Sequence, residues 1–329
     1  MTSMASFRNS RFIPLLLLAA SAWLYPSVSA RAQANDDDET IRVETELVDL
    51  NVSVLNRDPA RVVGQLQQKD FVVLEDGKEQ EISFFAEAAA PFDLVLVLDL
   101  SGSTADKLEL IRGSAKRFVS ATRAMDRISV VTFTDKTHLV SPLTTDRYKV
   151  LKGIDEIKKP SGETRFWDAL RYVLEKVLDN SDTAHRSAIV VMTDGVDNAL
   201  PNVKGKGSAT PFEELLEMVK RSDSMVVPIY LDTEREMVEQ ERATEMTYLI
   251  ARGRLGQLAT ESGSVVYQAN RVEDLTDVYQ KVIRDLGTVY SLGYRPMNKL
   301  RDGKWREVTV RLTTRTDLIA RTKRGYYAK

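Results

Sequence analysis

Leu94-Val95-Leu96-Val97-Leu98-Asp99-Leu100-Ser101-Gly102-Ser103 is an unbroken apolar run that ends in a carboxylate and two hydroxyls at alternate positions. Leucine and valine alone over 94–98 describe a strand buried on both faces, as strands of parallel sheets are. In open α/β sheets, ligands gather outside the carboxyl ends of such strands. The side chains delivered there, Asp99, Ser101 and Ser103, are hard oxygen donors of the kind that suits Mg2+, Mn2+ or Ca2+. The stretch therefore predicts a metal site at the top of a doubly wound sheet.

Downstream, strands and helices alternate. A helix is expected at about 105–122, with Leu108, Ile111, Ala115, Phe118 and Val119 on one stripe. Strand 128–134 and a short edge strand at 138–143 follow, then helices 147–159 and 166–179. Next come strand 187–193, helix 211–222, strand 225–231, a long helical region around 241–261, strand 264–267 and helix 272–286. This order predicts an α/β domain over 92–287, with a mostly parallel sheet and helices on both faces.

Both flanks read differently. Residues 41–87 alternate as strands, and Asp70 to Phe85 reads as a hairpin turning at Asp76-Gly77, where both positions want φ > 0. Residues 288–329 alternate again, with strands expected at 289–294, 304–313 and 318–327 and a turn at Asp302-Gly303. A piece of ~47 residues is small for an independent core. The two ends are therefore expected to pair into one β-sandwich module that carries the α/β domain as an insertion.

Residues 1–34 resemble a secretory signal peptide. Arg8 and Arg11 form a positive start, Phe12 to Leu24 an apolar stretch, and Ala32-Gln33-Ala34 or Ser29-Ala30 a small-residue cleavage site. The apolar stretch contains Pro14 and is shorter than the ~20 residues a span requires. Cleavage and export to the periplasm or beyond are expected, with no stable membrane span afterwards. Loss of three arginines leaves 43 Lys and Arg against 48 Asp and Glu, a net charge of −5. That balance argues against a nucleic-acid partner, which requires a basic face. Cysteine is absent, so neither disulfides nor thiolate chemistry is available. Two histidines, His138 and His185, do not supply a zinc site of the usual kind.

Two further segments belong with 99–103. Thr164 lies in Ser161-Gly162-Glu163-Thr164-Arg165-Phe166-Trp167-Asp168, a glycine-containing loop at a helix start. Asp194 opens Asp194-Gly195-Val196-Asp197-Asn198 directly after a buried strand. With these residues in this order, the chain resembles the von Willebrand factor A domain and its metal-ion-dependent adhesion site. The resemblance implies that Ser101, Ser103 and Thr164 ligate the metal through hydroxyls and that Asp99 and Asp194 act directly or through water. It leaves one coordination position for a partner's carboxylate. Beyond 92–287, the segments Phe71 to Gln80, Tyr290 to Tyr294 and Arg324 to Tyr327 resemble an exported family of such proteins from acidobacteria.

Competing chemistries fit less well. A calcium-binding EF-hand loop from Asp99 would need Gly at the sixth position and Glu at the twelfth, where Thr104 and Leu110 stand. The G-x-S-x-G elbow of an esterase is missing. A phosphoaspartyl enzyme would want an acid at position 101. Asp197 and Asn198 are read as shaping their loop, Trp167 and Tyr172 as packing, and Glu234 to Arg242 as an exposed helical face. The glycine-lysine run 204–207 is read as a flexible basic loop. The expected function is a non-enzymatic binding protein that meets a protein partner's exposed Asp or Glu through Mg2+, Mn2+ or Ca2+. The alternatives are a module whose metal only stabilises the fold, or a metal-assisted hydrolase.

Overall fold

The computed structural model describes residues 47–58, 61–87, 91–102, 104, 107–158, 162–179 and 185–329. The signal-like segment 1–34 and the first strand-like residues, 41–46, lie outside them. In chain order the strands are β1 Val48–Asn56, β2 Phe71–Glu75, β3 Lys78–Gln80, β4 Ile82–Ala86, β5 Phe92–Asp99, β6 Arg127–Phe133 and β7 Thr137–Thr144. They continue with β8 Arg186–Thr193, β9 Met225–Leu231, β10 Tyr267–Ala269, β11 Val289–Tyr294, β12 Trp305–Leu312, β13 Leu318–Arg321 and β14 Gly325–Tyr327. The helices are α1 Leu108–Ala121, α2 Arg147–Asp155, α3 Phe166–Tyr172, α4 Phe212–Arg221, α5 Glu234–Glu239, α6 Glu245–Glu261 and α7 Leu275–Leu286.

Six strands form the central sheet in the order β10-β9-β8-β5-β6-β7. All neighbours run parallel except β7, which pairs antiparallel with β6 at the edge. Every residue of β5 is buried, as its composition requires. Its two faces serve two cores. Leu94, Leu96 and Leu98 pack with the apolar stripes of α1, α2 and α7, whereas Val95 and Val97 pack with those of α3, α4 and α6. The side-chain period of two in a strand thus feeds both helical layers from one run.

After β5 the chain builds outward through β6 and β7, then returns to lay β8 on the other side of β5. The carboxyl ends of β5 and β8 are therefore the topological switch point, where open α/β sheets bind ligands.

Strands from both chain ends form two antiparallel four-stranded sheets, β13-β1-β11-β4 and β14-β12-β2-β3. Val48 of β1 faces Tyr294 of β11, and Val73 of β2 faces Val310 of β12. One core joins both sheets, with Leu50, Val52, Phe71, Val73, Tyr290, Leu292 and Val308 among its members. Inside it, Tyr294 and Tyr326 each donate a 2.8 Å hydrogen bond to the same oxygen of the buried Glu75. The fold is thus an α/β doubly wound domain flanked by a β-sandwich built from both ends of the chain.

Several boundaries differ from the sequence reading, each for a local reason. The turn at Asp76 (φ 47°) and Gly77 (φ 77°) forms as expected, but only 78–80 pair back onto β2. The chain then crosses sheets at Glu81, and β4 pairs with β11. The run 318–327 divides in the same way between β13 and β14. Alternation alone cannot register which sheet a strand joins. The helical region expected around 241–261 is α6 alone and starts at Glu245; the short α5 precedes it, and the chain turns between them at Glu241, in the left-handed region at φ 54°. Residues 264–267 contribute only Tyr267 to β10.

Candidate metal centre

Strand β5 carries Asp99 to the top of the sheet, fully buried, and β8 carries Asp194 beside it. One oxygen of Asp99 accepts the Ser101 backbone N–H at 2.9 Å, the tight turn that redirects the chain after the strand. The other accepts the Thr193 hydroxyl at 2.6 Å. Thr193 in turn accepts the Gly195 N–H at 2.9 Å, so its own hydrogen is committed to Asp99. Thr104 closes the loop by donating to the carbonyls of Asp99 and Ser101, at 3.1 and 3.0 Å.

Asp194 is held by a parallel device. One oxygen accepts the Val196 N–H at 3.0 Å, and the other accepts the Thr233 hydroxyl at 2.7 Å. The Tyr248 hydroxyl lies 2.9 Å from Thr233 and 3.5 Å from Asp194. Burial, and then the Asp194 charge, push the Tyr248 hydroxyl above its usual pKa, so it stays a donor.

The two carboxylates oppose each other. Burial, and then the Asp194 charge, raise the Asp99 pKa from 3.8 to about 7, against the lowering effect of its hydrogen bonds. A divalent cation between them would remove that opposition. The fit is to a hard ion: carboxylate and hydroxyl oxygens, with no imidazole or thiolate in the set. Among the described residues no cluster of three or more His, Cys, Asp or Glu side chains forms elsewhere as a rival site.

Ser101, Thr164 and Asp194 line one cleft of about 430 Å3, with Asp99 sealed beneath. Four of the five residues singled out from the sequence are thereby brought together. Ser103 lies outside the described residues. Thr164 reaches the cleft through a reciprocal tether: its N–H donates to the Asn198 side-chain oxygen at 2.6 Å, and the Asn198 N–H donates to its carbonyl at 3.0 Å.

Asp197 has the right chemistry for a ligand but is fully committed elsewhere. Its carboxylate accepts the N–H groups of Trp167, Ala199 and Ser208 and the Ser208 hydroxyl, at 2.6–3.1 Å. It fixes the start of α3 to the 198–208 loop. The sequence reading missed Thr193, Thr233 and Tyr248, which set the two carboxylates. A signal was present for Thr193, which closes a buried strand next to the expected site residue Asp194.

The stretch 234–242 is not a single exposed helical face. Helix α5 ends at Glu239, and Gln240, Glu241 and Arg242 form part of the cleft wall. Neither histidine joins the cleft. His185 lies 2.8 Å from Asp93, which also binds Arg127 at the amino end of β5, about 20 Å from Asp99 along the strand. His138 lines a separate cleft beside β7.

Residues 94–196 match the family model described as the von Willebrand factor type A domain. A UPF0353 protein of Nocardia farcinica is 27% identical over 212 residues, which cover 59% of this chain and 63% of that protein. Among solved structures, proximal thread matrix protein 1 from the mussel byssus, determined with a zinc-occupied MIDAS motif, aligns with a TM-score of 0.47 and 18% identity. That alignment covers 61% of this chain and 49% of the mussel protein. The vWF domain of the type V pili tip protein Mfa5 from Porphyromonas gingivalis aligns with a TM-score of 0.46 and 16% identity, over 59% of this chain and 94% of that domain. The chain thus spans less than two thirds of the curated relative and about half of the mussel protein. The family model thus falls on the strands that carry Asp99 and Asp194, and the chain carries a von Willebrand factor type A domain there.

Proposed function

We propose that the protein is an exported, non-enzymatic binding protein that holds a divalent metal at Asp99, Ser101, Ser103, Thr164 and Asp194. Through that metal it binds an exposed Asp or Glu of a protein partner. The observation that carries this reading is the convergence of Ser101, Thr164 and Asp194 on one cleft over the buried Asp99. Two carboxylates balance the charge of a divalent ion, and neutral hydroxyls leave it able to take a further anionic ligand. Mg2+ suits such a set, because it retains waters and shares its coordination with its ligands; Mn2+ and Ca2+ are the other candidates.

Binding is favoured over metal-assisted hydrolysis because the described cleft wall contains no histidine to serve as base, and His185 is engaged by Asp93 at the other end of the sheet. Export rests on the signal-like pattern of residues 1–34. In this reading those residues are removed, and the domain of 92–287 projects from a module made of 41–87 and 288–329. No helix of the described residues is long and apolar enough to cross a membrane.

The test is thermal unfolding of the protein in EDTA, Mg2+, Mn2+ and Ca2+, beside Asp99→Ala. A metal at ~100 times its Kd that binds only the folded state adds roughly 2.7 kcal/mol. A wild-type melting temperature indifferent to all three metals would end the proposal.

A further inference from the structure

Arg242 stands against the loop that carries the serine donors. A Cβ placed on Gly102 would lie 3.4 Å from its Nη1, so the guanidinium sits directly over the residue between Ser101 and Ser103. The side chain is exposed, and its guanidinium takes no hydrogen bond or ion pair from the described residues. Its guanidinium therefore presents its five donors to the cleft without a carboxylate partner among the described residues.

Its position is also held at a cost. Glu241 adopts φ 54°, a left-handed conformation that a non-glycine residue avoids, and this turns the chain after α5. The Glu241 and Arg242 N–H groups then donate to the carbonyls of Val238 and Met237, at 3.0 Å each. The acidic residues of the cleft do not neutralise the guanidinium. Glu163 is turned to the opposite wall, where a Cβ on Gly205 would lie 2.5 Å from its Oε1. Glu241 is exposed and makes no side-chain bond with Arg242 among the described residues.

The geometry points to Arg242 as the residue that selects a carboxylate at this site: it donates to the carboxylate oxygen of the partner's Asp or Glu that the metal leaves free. This rests on the metal-and-acid reading above. A neutral oxygen ligand could still reach the metal but would offer the guanidinium no charge-assisted bond. The partner's residue is accordingly an acid and not an amide, and recognition divides between a metal ion and one arginine.

The experiment uses a fluorescent peptide of Gly and Ser with one central Asp, and its Asn counterpart. Each is titrated with the full chain in Mg2+, Mn2+ and EDTA. Wild type is expected to bind the Asp peptide only with metal and to discriminate against the Asn peptide. Arg242→Gln should bind the Asp peptide about 10- to 100-fold more weakly, the loss of one charge-assisted hydrogen bond, and should discriminate little. Its metal-induced rise in melting temperature should match wild type, which a merely structural role would not predict. Arg242→Lys should fall between, because it keeps the charge and loses the planar fork.

Lys204→Gln, on the far wall, separates a specific contact from a general field, and its effect should be smaller than that of Arg242→Gln. Equal binding by Arg242→Gln and wild type, or a Lys204→Gln loss as large, would overturn the role given to Arg242 alone. A metal-stabilised wild type that ignores both peptides would overturn the acidic-partner reading and Arg242's role together. A wild type unmoved by metal would overturn the site itself.

Discussion

Replacing Asp99 with asparagine should make the metal-free protein gain stability relative to wild type as pH rises from mild acid to above neutrality. In the folded state the Asp99 pKa is raised from 3.8 to about 7, chiefly by burial and then by the Asp194 charge. A raised carboxyl pKa means that the folded state holds the proton more tightly than the unfolded chain does. Folding stability therefore falls as pH rises from about 4 through 7 and is flat beyond. The span corresponds to up to about 4 kcal/mol at 1.36 kcal/mol per unit. For a chain of this size each kcal/mol moves Tm by roughly 2–4 °C.

Asparagine keeps the acceptor for the Ser101 N–H, loses the one for the Thr193 hydroxyl at a cost that does not vary with pH, and removes the titration. Asp49 and Asp285 also have raised pKa values, mainly from burial, and contribute a slope of the same sign. They are present in both proteins, so the difference between wild type and Asp99→Asn isolates Asp99. The assay is thermal unfolding in EDTA from pH 5 to pH 9. The variant should gain on wild type progressively, reaching several degrees by pH 8, and Mg2+ should stabilise wild type alone. A constant difference across pH would refute the account of the two opposed carboxylates.

The remaining predictions concern the supports of the site and the module beside it. Asn198→Ala unties Thr164 and should weaken Mn2+ or Mg2+ binding about 10-fold by calorimetry while the fold persists, as loss of an outer partner of a ligand does. Gly207→Ala should unfold its loop and cost at least about 2 kcal/mol, because its Cβ would lie 1.8 Å from the Ala199 backbone nitrogen. Gly253→Ala, exposed in mid-α6 with nothing within 4 Å of its Cβ, should instead add about 0.5–1 kcal/mol; both are read by denaturant unfolding. Tyr294→Phe should cost about 1–3 kcal/mol in the same assay, since it strips a donor from the buried Glu75 carboxylate.

Much of this architecture was legible because it follows from short-range pattern. The Leu-Val run of β5 could only be a strand buried twice, and its alternating side chains do divide between two helical layers. The resemblance carried by Asp99, Ser101, Thr164 and Asp194 placed the cleft. What stayed hidden is what long-range contact decides. Nothing in Ile82 to Ala86 or in Leu318 to Tyr327 records a change of sheet, because pairing depends on distant partners. Nor does the charged run 234–242 announce that its last residues join the cleft wall, since that depends on one backbone angle at Glu241.

The segment Thr193-Asp194-Gly195-Val196-Asp197-Asn198 shows why residue type alone does not assign a role. Asp194 and Asp197 are chemically alike, three residues apart and both buried. Asp197 is surrounded by four donors from the loops it joins, which exhausts the favourable sites on a carboxylate and leaves it no reason to attract a cation. Asp194 opens onto the cleft and repels Asp99, and that repulsion is relieved by a cation. Asn198 completes the division, since an amide can both donate to Lys204 and accept from Thr164, which a carboxylate could not do. The loop thus separates the work of holding its own shape from the work of facing a ligand. Substitutions at 197 and 198 should therefore act on metal affinity through the position of Thr164, while those at 194 should act on it directly.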